Sequence, residues 1–555
     1  MRLKKARRIT THALKVFLMT AMGAAMRATC QDSTNAPAAS DSNNPLLNLF
    51  IKKGFVTQQE AAQVEAEAES QRTNASANLS PRSGAWSSIP AFKDLQIYGD
   101  ARLRYEDRDA KDPLGNEINL QRFRYAVRLG LRGDLFDQFY FGVRLDTSPN
   151  ARSPFVTFGS ATASSSAYYY GPFGKSQAGV DIGQVYLGWH PEDWLDVTLG
   201  KMPNPLYSST MVWNSAINPE GFAERFKYPV GPAQFFANFG QFIYDDLNPN
   251  IASGNLGFNG RIGQFTDNIF MFAWQGGLKY QITPNFKSEI AATIYNYVGL
   301  HQSTASTYPS LSPYYGDPYV GEGAYYLLGG GNALGYSGFG TSGSYPGYES
   351  LNYPLNQVGL NDLKVIEIPF EFDYRFPEPH LEARLFGDFA YNLNGKERAE
   401  AAASAYNAIQ TLQSGSTPVP IPHTITPQTS DVKAYQIGVG LGSDDLVYGP
   451  MQGLVFGTMA PRHSWEVRTY WQHIEQYSLD PNILDTDFFN ALENLQGIYV
   501  AASYAFTGNF IGTFRYGRAW RINNALGTGG SSMDIPQINP IKDYDIYQID
   551  LTLLF

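Results

Sequence analysis

From Leu95 onward, apolar and polar residues alternate with a period of two along most of the chain. Leu95, Ile97, Gly99, Ala101, Leu103 and Tyr105 alternate with Gln96, Tyr98, Asp100, Arg102, Arg104 and Glu106. Phe123, Tyr125, Val127, Leu129 and Leu131 alternate with Arg122, Arg124, Ala126, Arg128, Gly130 and Arg132, and Phe139, Phe141, Val143 and Leu145 continue the pattern. Successive side chains of a strand point to opposite faces, so each segment is a strand with one greasy and one wet face. The pattern recurs at 182–190, 194–201, 234–243, 270–281, 286–297, 363–375, 381–392, 433–442, 465–475, 497–506, 510–521 and 543–555, fifteen segments in all. Most are near the ~9–11 residues of a tilted membrane strand. Tight polar connectors (134–138, 191–193, 283–285, 377–379, 507–509) alternate with long ones (146–180, 202–233, 298–362, 393–432, 522–542). Short turns at one end and long loops at the other are how outer-membrane barrels are built, and a soluble sandwich has no reason to alternate so regularly. The expected fold class is all-β: a transmembrane antiparallel β-barrel of about 16 strands (14–18). An even count is the rule, so one strand is missing from the tally, in 202–233 or 446–460.

The two ends carry the same message. Apolar residues at 547, 549, 551, 553 and 555 make the last strand amphipathic up to its final residue, Phe555. A strand ending on a terminal aromatic resembles the C-terminal signal of Gram-negative outer-membrane barrels, read by the barrel assembly machinery. Phe555 is therefore the candidate assembly signal; the plain reading is an ordinary edge strand. At the other end, Arg2, Lys4, Lys5, Arg7, Arg8 and Lys15 precede a short apolar run, Val16 to Met26, and then small residues. That is the order of a secretory signal peptide, assigned to residues 1–30, and the run is too short to span a bilayer as a helix. Residues 31–92 read as a disordered lead, a short periplasmic helix pair (45–53 and 57–72) and a Ser/Asn/Pro linker. Thr57 with Glu60 fits a capping box. The second helix is either solvated or a short coiled coil that associates barrels. Residues 93–555 are the barrel domain.

Composition narrows the class. Seven cations and no acids fall in residues 1–30, so their removal takes the formal charge from −10 to −17. An acidic exported chain is not a nucleic-acid binder by default. Low charge (17%), 53 glycines, 36 tyrosines and 35 phenylalanines suit many strands with aromatic girdles. Mean hydropathy is −0.28. No stretch of eighteen apolar residues follows the leader, so a membrane role must use strands, because only helices and closed barrels satisfy every backbone group in lipid. Cys30 is the one cysteine, which excludes a disulfide within the chain. Arg27 stands where a lipoprotein signal wants an aliphatic residue, which argues against lipidation.

The run Arg122 to Arg132, the segment Phe141 to Asp146, the Gly200-Lys-Met-Pro-Asn-Pro-Leu206 turn and the N-terminal helix pair resemble the putative porin family of bacterial outer membranes. That family is distantly similar to the phosphate-selective porins O and P. The resemblance covers residues 45–555. It implies a sixteen-stranded channel, as a homotrimer, for passive diffusion of small hydrophilic solutes, integral to the lipid of the cell outer membrane.

The polar faces hold the candidate chemistry. Arg102, Arg104, Arg122, Arg124, Arg128, Arg132 and Arg144 make an arginine ladder, and Glu367, Glu371 and Asp373, then Glu382, Asp388 and Glu466, are the acids that could face it. Arginine is permanently charged and presents a fixed donor fork. The ladder is expected either to form a charged constriction that filters solutes or to pair with Asp100, Glu106 and Asp146 beside it and merely solvate the wall. Residues 298–362 hold ten tyrosines and a Gly329-Gly330-Gly331 run. A long loop of that kind usually has a job or is disordered. As a binding face it would serve the alternative function, a non-transport adhesin or wall-anchoring barrel. Enzyme signals are weak: there is no His-Glu-x-x-His and no Gly-x-Ser-x-Gly. Gly174-Lys175-Ser176 lacks the first glycine of a phosphate loop. His473 falls alone on the apolar phase. Asp480, Asp485 and Asp487 suit calcium or, more simply, an ordinary polar loop. No cofactor and no metal are expected.

Overall fold

The computed structural model describes residues 93–159, 180–245, 269–298, 363–400, 426–443, 460–528 and 541–555, apart from a few single positions, together with two short ladders at 331–337 and 448–454. The leader, the helix pair, Gly174 to Ser176 and almost all of the tyrosine-rich 298–362 segment lie outside the described residues.

The strands are β1 (Lys93–Lys111), β2 (Glu117–Asp134), β3 (Phe139–Asp146), β4 (Asp181–Glu192), β5 (Leu195–Lys201), β6 (Glu220–Val230), β7 (Ala233–Asp245) and β8 (Ile269–Thr283). They continue as β9 (Phe286–Val298), β10 (Lys364–Phe376), β11 (Leu381–Asn392), β12 (Lys433–Ser443), β13 (Trp465–Ile474), β14 (Leu495–Ala505), β15 (Phe510–Arg521) and β16 (Asp543–Leu554). Each pairs antiparallel with its neighbours in sequence, and β16 pairs with β1 over Asp100↔Leu554 to Lys111↔Asp543. The sheet is thus a closed ring of sixteen strands; the two-residue piece Val156–Thr157 adds a short ladder against β2. Closure leaves no unpaired edge, which is what lipid requires of a sheet. Reciprocal backbone bonds between Gly99 and Phe555 (2.8 and 3.1 Å) complete the seam.

The uncounted strand is β6, inside 202–233. Its outward phase reads Glu220, Phe222, Glu224, Phe226, Tyr228, Val230, and two acids and Pro229 break the alternation that marks the others. The turn after it is tight, and Gly231 sits there at φ 57°, a conformation glycine takes without a Cβ penalty. The other candidate stretch, 446–460, holds a two-residue hairpin, Tyr448–Gly449 with Gly453–Leu454, in the long connection from β12 to β13.

The alternation sorts as expected. Leu103 (54%) and Phe123 (57%) are exposed, whereas Arg104 (3%) and Arg128 (2%) are buried. The greasy face points out and the charged face points in. Ring pairs form a girdle at each end: Phe139–Trp189 and Trp194–Phe226 near the short turns, Tyr105–Phe123 and Trp471–Trp520 near the long loops. His473 belongs to the second girdle, stacked 4.7 Å from Tyr435.

The interior is not uniformly polar. Phe242, Met271, Ala273, Tyr295, Val365, Phe386, Tyr470 and Tyr499 are buried. They lie on the inward phase of β7–β14, opposite the arginine-bearing β1–β3. Two inward loops, 202–219 and 475–494, pack there, and a third, 147–158, lies against the arginine side, where its Val156–Thr157 piece pairs with β2. Trp213 is 1% exposed, 6.3 Å from the rings of both Phe242 and Tyr295. Phe488 packs at 5.1 Å from Tyr499.

Candidate functional site: a charged chamber beneath an interlocked plug

The three inward loops are tied to one another. The Asn214 amide donates to the Ile483 carbonyl (2.7 Å), the Asn214 side chain donates to the Arg152 carbonyl (3.1 Å), and Arg152 donates to the Pro481 carbonyl (3.4 Å). They are also tied to the wall all round. Gln275 of β8 accepts from the Tyr207 amide (2.9 Å) and donates to its carbonyl (2.7 Å). Ser209 donates to Glu367 of β10 (3.3 Å) through its amide and to Asp388 of β11 through its hydroxyl. Tyr244 of β7 donates to Asp480 (2.8 Å), and Asn392 of β11 donates to the Tyr477 carbonyl (2.9 Å). On the far side, Arg104 grips Asp487 (2.6 Å) and Arg108 donates to the Thr486 carbonyl (3.0 Å). Asp480 and Asp487 therefore serve opposite walls and do not converge as metal ligands.

The arginine ladder divides into two parts. The upper part is sealed. Arg104 chelates Asp550 of β16 (2.7 Å), Arg122 pairs with Glu106 (2.6 Å), and Arg124 donates to the Phe155 carbonyl (3.0 Å). The Phe155 ring lies 4.1 Å from the Arg104 guanidinium and covers it. The lower part lines a chamber of about 400 Å³ towards the short-turn end, bounded by Arg102, Arg128, Arg132, Arg144, Arg468 and Arg515. Thr210, Ser215, Asn218, Asp485 and Asp487 of the inward loops also line it. Asp100 is shared by Arg102 (3.0 Å) and Arg128 (2.8 Å), while Arg144 holds Asp146 through two bonds (2.8 and 2.9 Å). Arg468 pairs with Glu466 (2.5 Å). Arg132 instead donates to Gln96 (3.1 Å) and lies 4.9 Å over the Tyr98 ring.

Local sequence builds this wall. Gly130 of β2 is opposite Tyr98 on one side and Arg144 on the other. A Cβ there would lie 2.3 Å from the Tyr98 ring, so the glycine lets the tyrosine lie flat across the strand. Gly142 does the same for Tyr186. The result is an inner surface of tyrosine faces with guanidinium groups between them.

The acidic wall stands opposite, since β2 and β10 are eight places apart in a ring of sixteen. Glu371 and Asp373 are held by Arg384 (3.6 and 2.6 Å), with Lys287 3.4 Å from Asp373, and Glu367 accepts from Tyr295 (2.6 Å) and Ser209. Glu367 anchors the plug through Ser209, and all three acids lie outside the chamber. The structure thus brings Arg102, Arg128, Arg132 and Arg144 together, leaves Arg104, Arg122 and Arg124 beneath the loops, and keeps Glu367, Glu371 and Asp373 across the barrel. Arg468 and Arg515 complete the chamber from β13 and β15; the inward phase of those strands was the signal that could have named them. In the 475–494 loop, burial pushes the Asp485 carboxyl up to about 7, with the Asp487 charge adding to it. Burial would raise Asp487 too, but Arg104 and Arg515 outweigh it and hold that carboxyl below the usual range.

Similarity to solved structures is remote in sequence. The loop-deletion mutant OmpTdeltaL8 of Vibrio cholerae superposes at 8% identity with a TM-score of 0.36, covering 84% of this chain and 100% of that one. The anion-selective porin from Comamonas acidovorans gives 11% and 0.38 (83% and 99% covered), and Pseudomonas putida OprB gives 10% and 0.41 (83% and 94%). No curated protein matches the sequence. The profile of the family described as "Putative porin" matches residues 92–555, the whole of the ring described above, and the chain belongs to that family.

Proposed function

We propose that this protein is a channel for passive diffusion of small hydrophilic solutes across the outer membrane of a Gram-negative-type bacterium. The observation that carries the reading is a closed sixteen-strand ring, greasy outside, with a guanidinium-lined chamber inside. Inward loops set the size limit, and fixed charge sets selectivity, because charge rings act strongly on ions at close quarters. The short-turn end faces the periplasm. Export uses the leader at residues 1–30, and the β16 strand with Phe555 is read by the assembly machinery. The outward face of β5–β7 supports self-association. Lys201 pairs with Glu220 (2.5 Å), and Gln241 donates to Glu224 (3.0 Å) between apolar Phe222 and Phe226. Charge on the lipid face is costly, so a second copy covers this patch.

The plug favours a second reading. Three interlocked loops occupy the interior, two of them packed on the β7–β14 side, as a non-conducting adhesin or wall-anchoring barrel would require. Planar-bilayer recording of the purified full chain separates the two. Steady unitary conductance supports the channel; silence from correctly folded, heat-modifiable protein sinks it.

A further inference from the structure

We propose that Glu493 carries a proton at neutral pH and pairs with Gln476 through two hydrogen bonds, a pH-sensitive clasp across the base of the 475–494 loop. The ladder between β13 and β14 ends at Ile474↔Leu495, and Gln476 and Glu493 hold the next inward pair of positions in the same register. Both are fully buried, at 0% exposure. Gln476 Nε2 donates to Glu493 at 3.4 Å, through the Oε2 oxygen. Glu493 Oε1 is buried and has no hydrogen-bond partner among the described residues, and no cation there lies within ion-pair distance of this carboxyl. Ionised, it would be a buried charge without a counter-ion, and such groups take up a proton instead. A protonated carboxyl has an O–H to donate. Given from Oε1 to the Gln476 side-chain carbonyl, that proton completes a ring in which the amide donates on one side and accepts on the other.

The surroundings agree with the geometry. Burial pushes the Glu493 carboxyl well above the usual range; the Arg398 guanidinium beyond β11 acts against this, the Asp480 charge adds to it, and the Leu479 amide acts against it. Tyr477 of the same loop borders Glu493 too, and Asp431 faces Tyr477 from the stretch before β12. Asp480 is better supplied with donors. It accepts from the Tyr244 hydroxyl of β7 (2.8 Å) and the Asn482 amide (3.0 Å), and Tyr297 of β9 also bonds to it. The negative charge of the cluster therefore rests on Asp480 and the proton on Glu493. Ala491 (φ 54°) and Asn494 (φ 57°) flank Glu493 in the left-handed region, which is costly for a residue with a Cβ. The clasp thus restrains a stretch that relaxes on release. A carboxyl whose folded pKa is raised stabilises the closed loop at low pH, and that contribution is lost as pH rises. Ionisation removes one of the two bonds and frees the feet of the loop, while the β13–β14 ladder stays paired.

The clasp is independent of whether the barrel conducts, and the folded full chain in detergent suffices to test it. Infrared difference spectra at pH 7 should show that Glu493→Gln lacks one protonated-carboxyl carbonyl band present in wild type. Loss of an ionised-carboxylate band instead would overturn the proposal. Chymotrypsin reads the opening, because Phe488 and Phe489, each 1% exposed, are reached only when the loop leaves the wall. Glu493→Gln keeps a neutral two-bond pair with Gln476 at every pH. The wild-type rate of cleavage at these two residues, divided by the Glu493→Gln rate, should rise by up to about tenfold per pH unit between pH 7 and pH 9. Asp485 ionises in both proteins, so its effect divides out. Gln476→Ala removes the partner and should speed cleavage already at pH 7, with heat-modifiability unchanged. A flat ratio, or wild-type protection in Gln476→Ala, would mean that the loop is held without this pair and the clasp is wrong.

Discussion

Asp485 shows how one side chain can tune the chamber. Asp487 beside it and the Arg104 and Arg515 guanidinium groups act on it from the loop and the wall, and Tyr470 and Tyr499 border the same space. A carboxyl whose folded pKa is raised binds its proton more tightly in the folded state. It therefore favours the folded loop at low pH, and that contribution is lost as pH rises through about 7. Falling pH removes one negative charge from the arginine-lined chamber. The reversal potential in a salt gradient should move toward anions between pH 8 and pH 6. Asp485→Asn should already show the low-pH value at pH 8 and lose the dependence. If the variant titrates like wild type, another group is responsible. Asp487 should not contribute in this window, since its carboxyl stays ionised.

Among the elements, the 202–219 loop stands out because it has almost no regular structure and yet is among the most deeply buried segments. Trp213 fills the space between β7 and β9, and Ser209 and Tyr207 hold it to β8, β10 and β11. Truncating a buried tryptophan typically costs about 3–5 kcal/mol. The ring of strands does not depend on this contact, because its ladder closes independently of the loop. Trp213→Ala should therefore free the loop while leaving the barrel heat-modifiable. The expected result in planar bilayers is larger and noisier unitary conductance. Unchanged conductance would show that the narrowest point lies elsewhere.

For the whole molecule, the outer wall carries an inconsistency that one chain alone does not remove. Everywhere that Phe235, Trp274, Ile290 and Ile437 are exposed, the outward phase suits lipid. At β5–β7 it carries Lys201, Glu220, Glu224 and Gln241. Lys201→Glu would place three acids together on that face. If a second copy covers it, the detergent-extracted protein should shift from oligomer to monomer in size-exclusion light scattering. An unchanged mass would mean the copies meet elsewhere or not at all.

The strands, their faces and the even count were legible in the chain because a period of two is a local property: each residue's direction follows from its neighbours. β1, β2 and β16 could be read almost residue by residue, and β6 was hidden only where Glu220, Glu224 and Pro229 break the period. The inward direction of the seven arginines followed from the same rule. What each arginine does there was decided by contacts distant in sequence. Arg104 meets Asp550 across 446 residues and Asp487 across 383. Whether a guanidinium faces water or lies sealed under Phe155 depends on how three loops fold back into the barrel. The 202–219 and 475–494 loops carry no periodicity that announces burial; they are buried because the inward faces of β7–β14 are themselves apolar. Alternation dictates which way a side chain points, and only the closed barrel with its plug determines what it meets there.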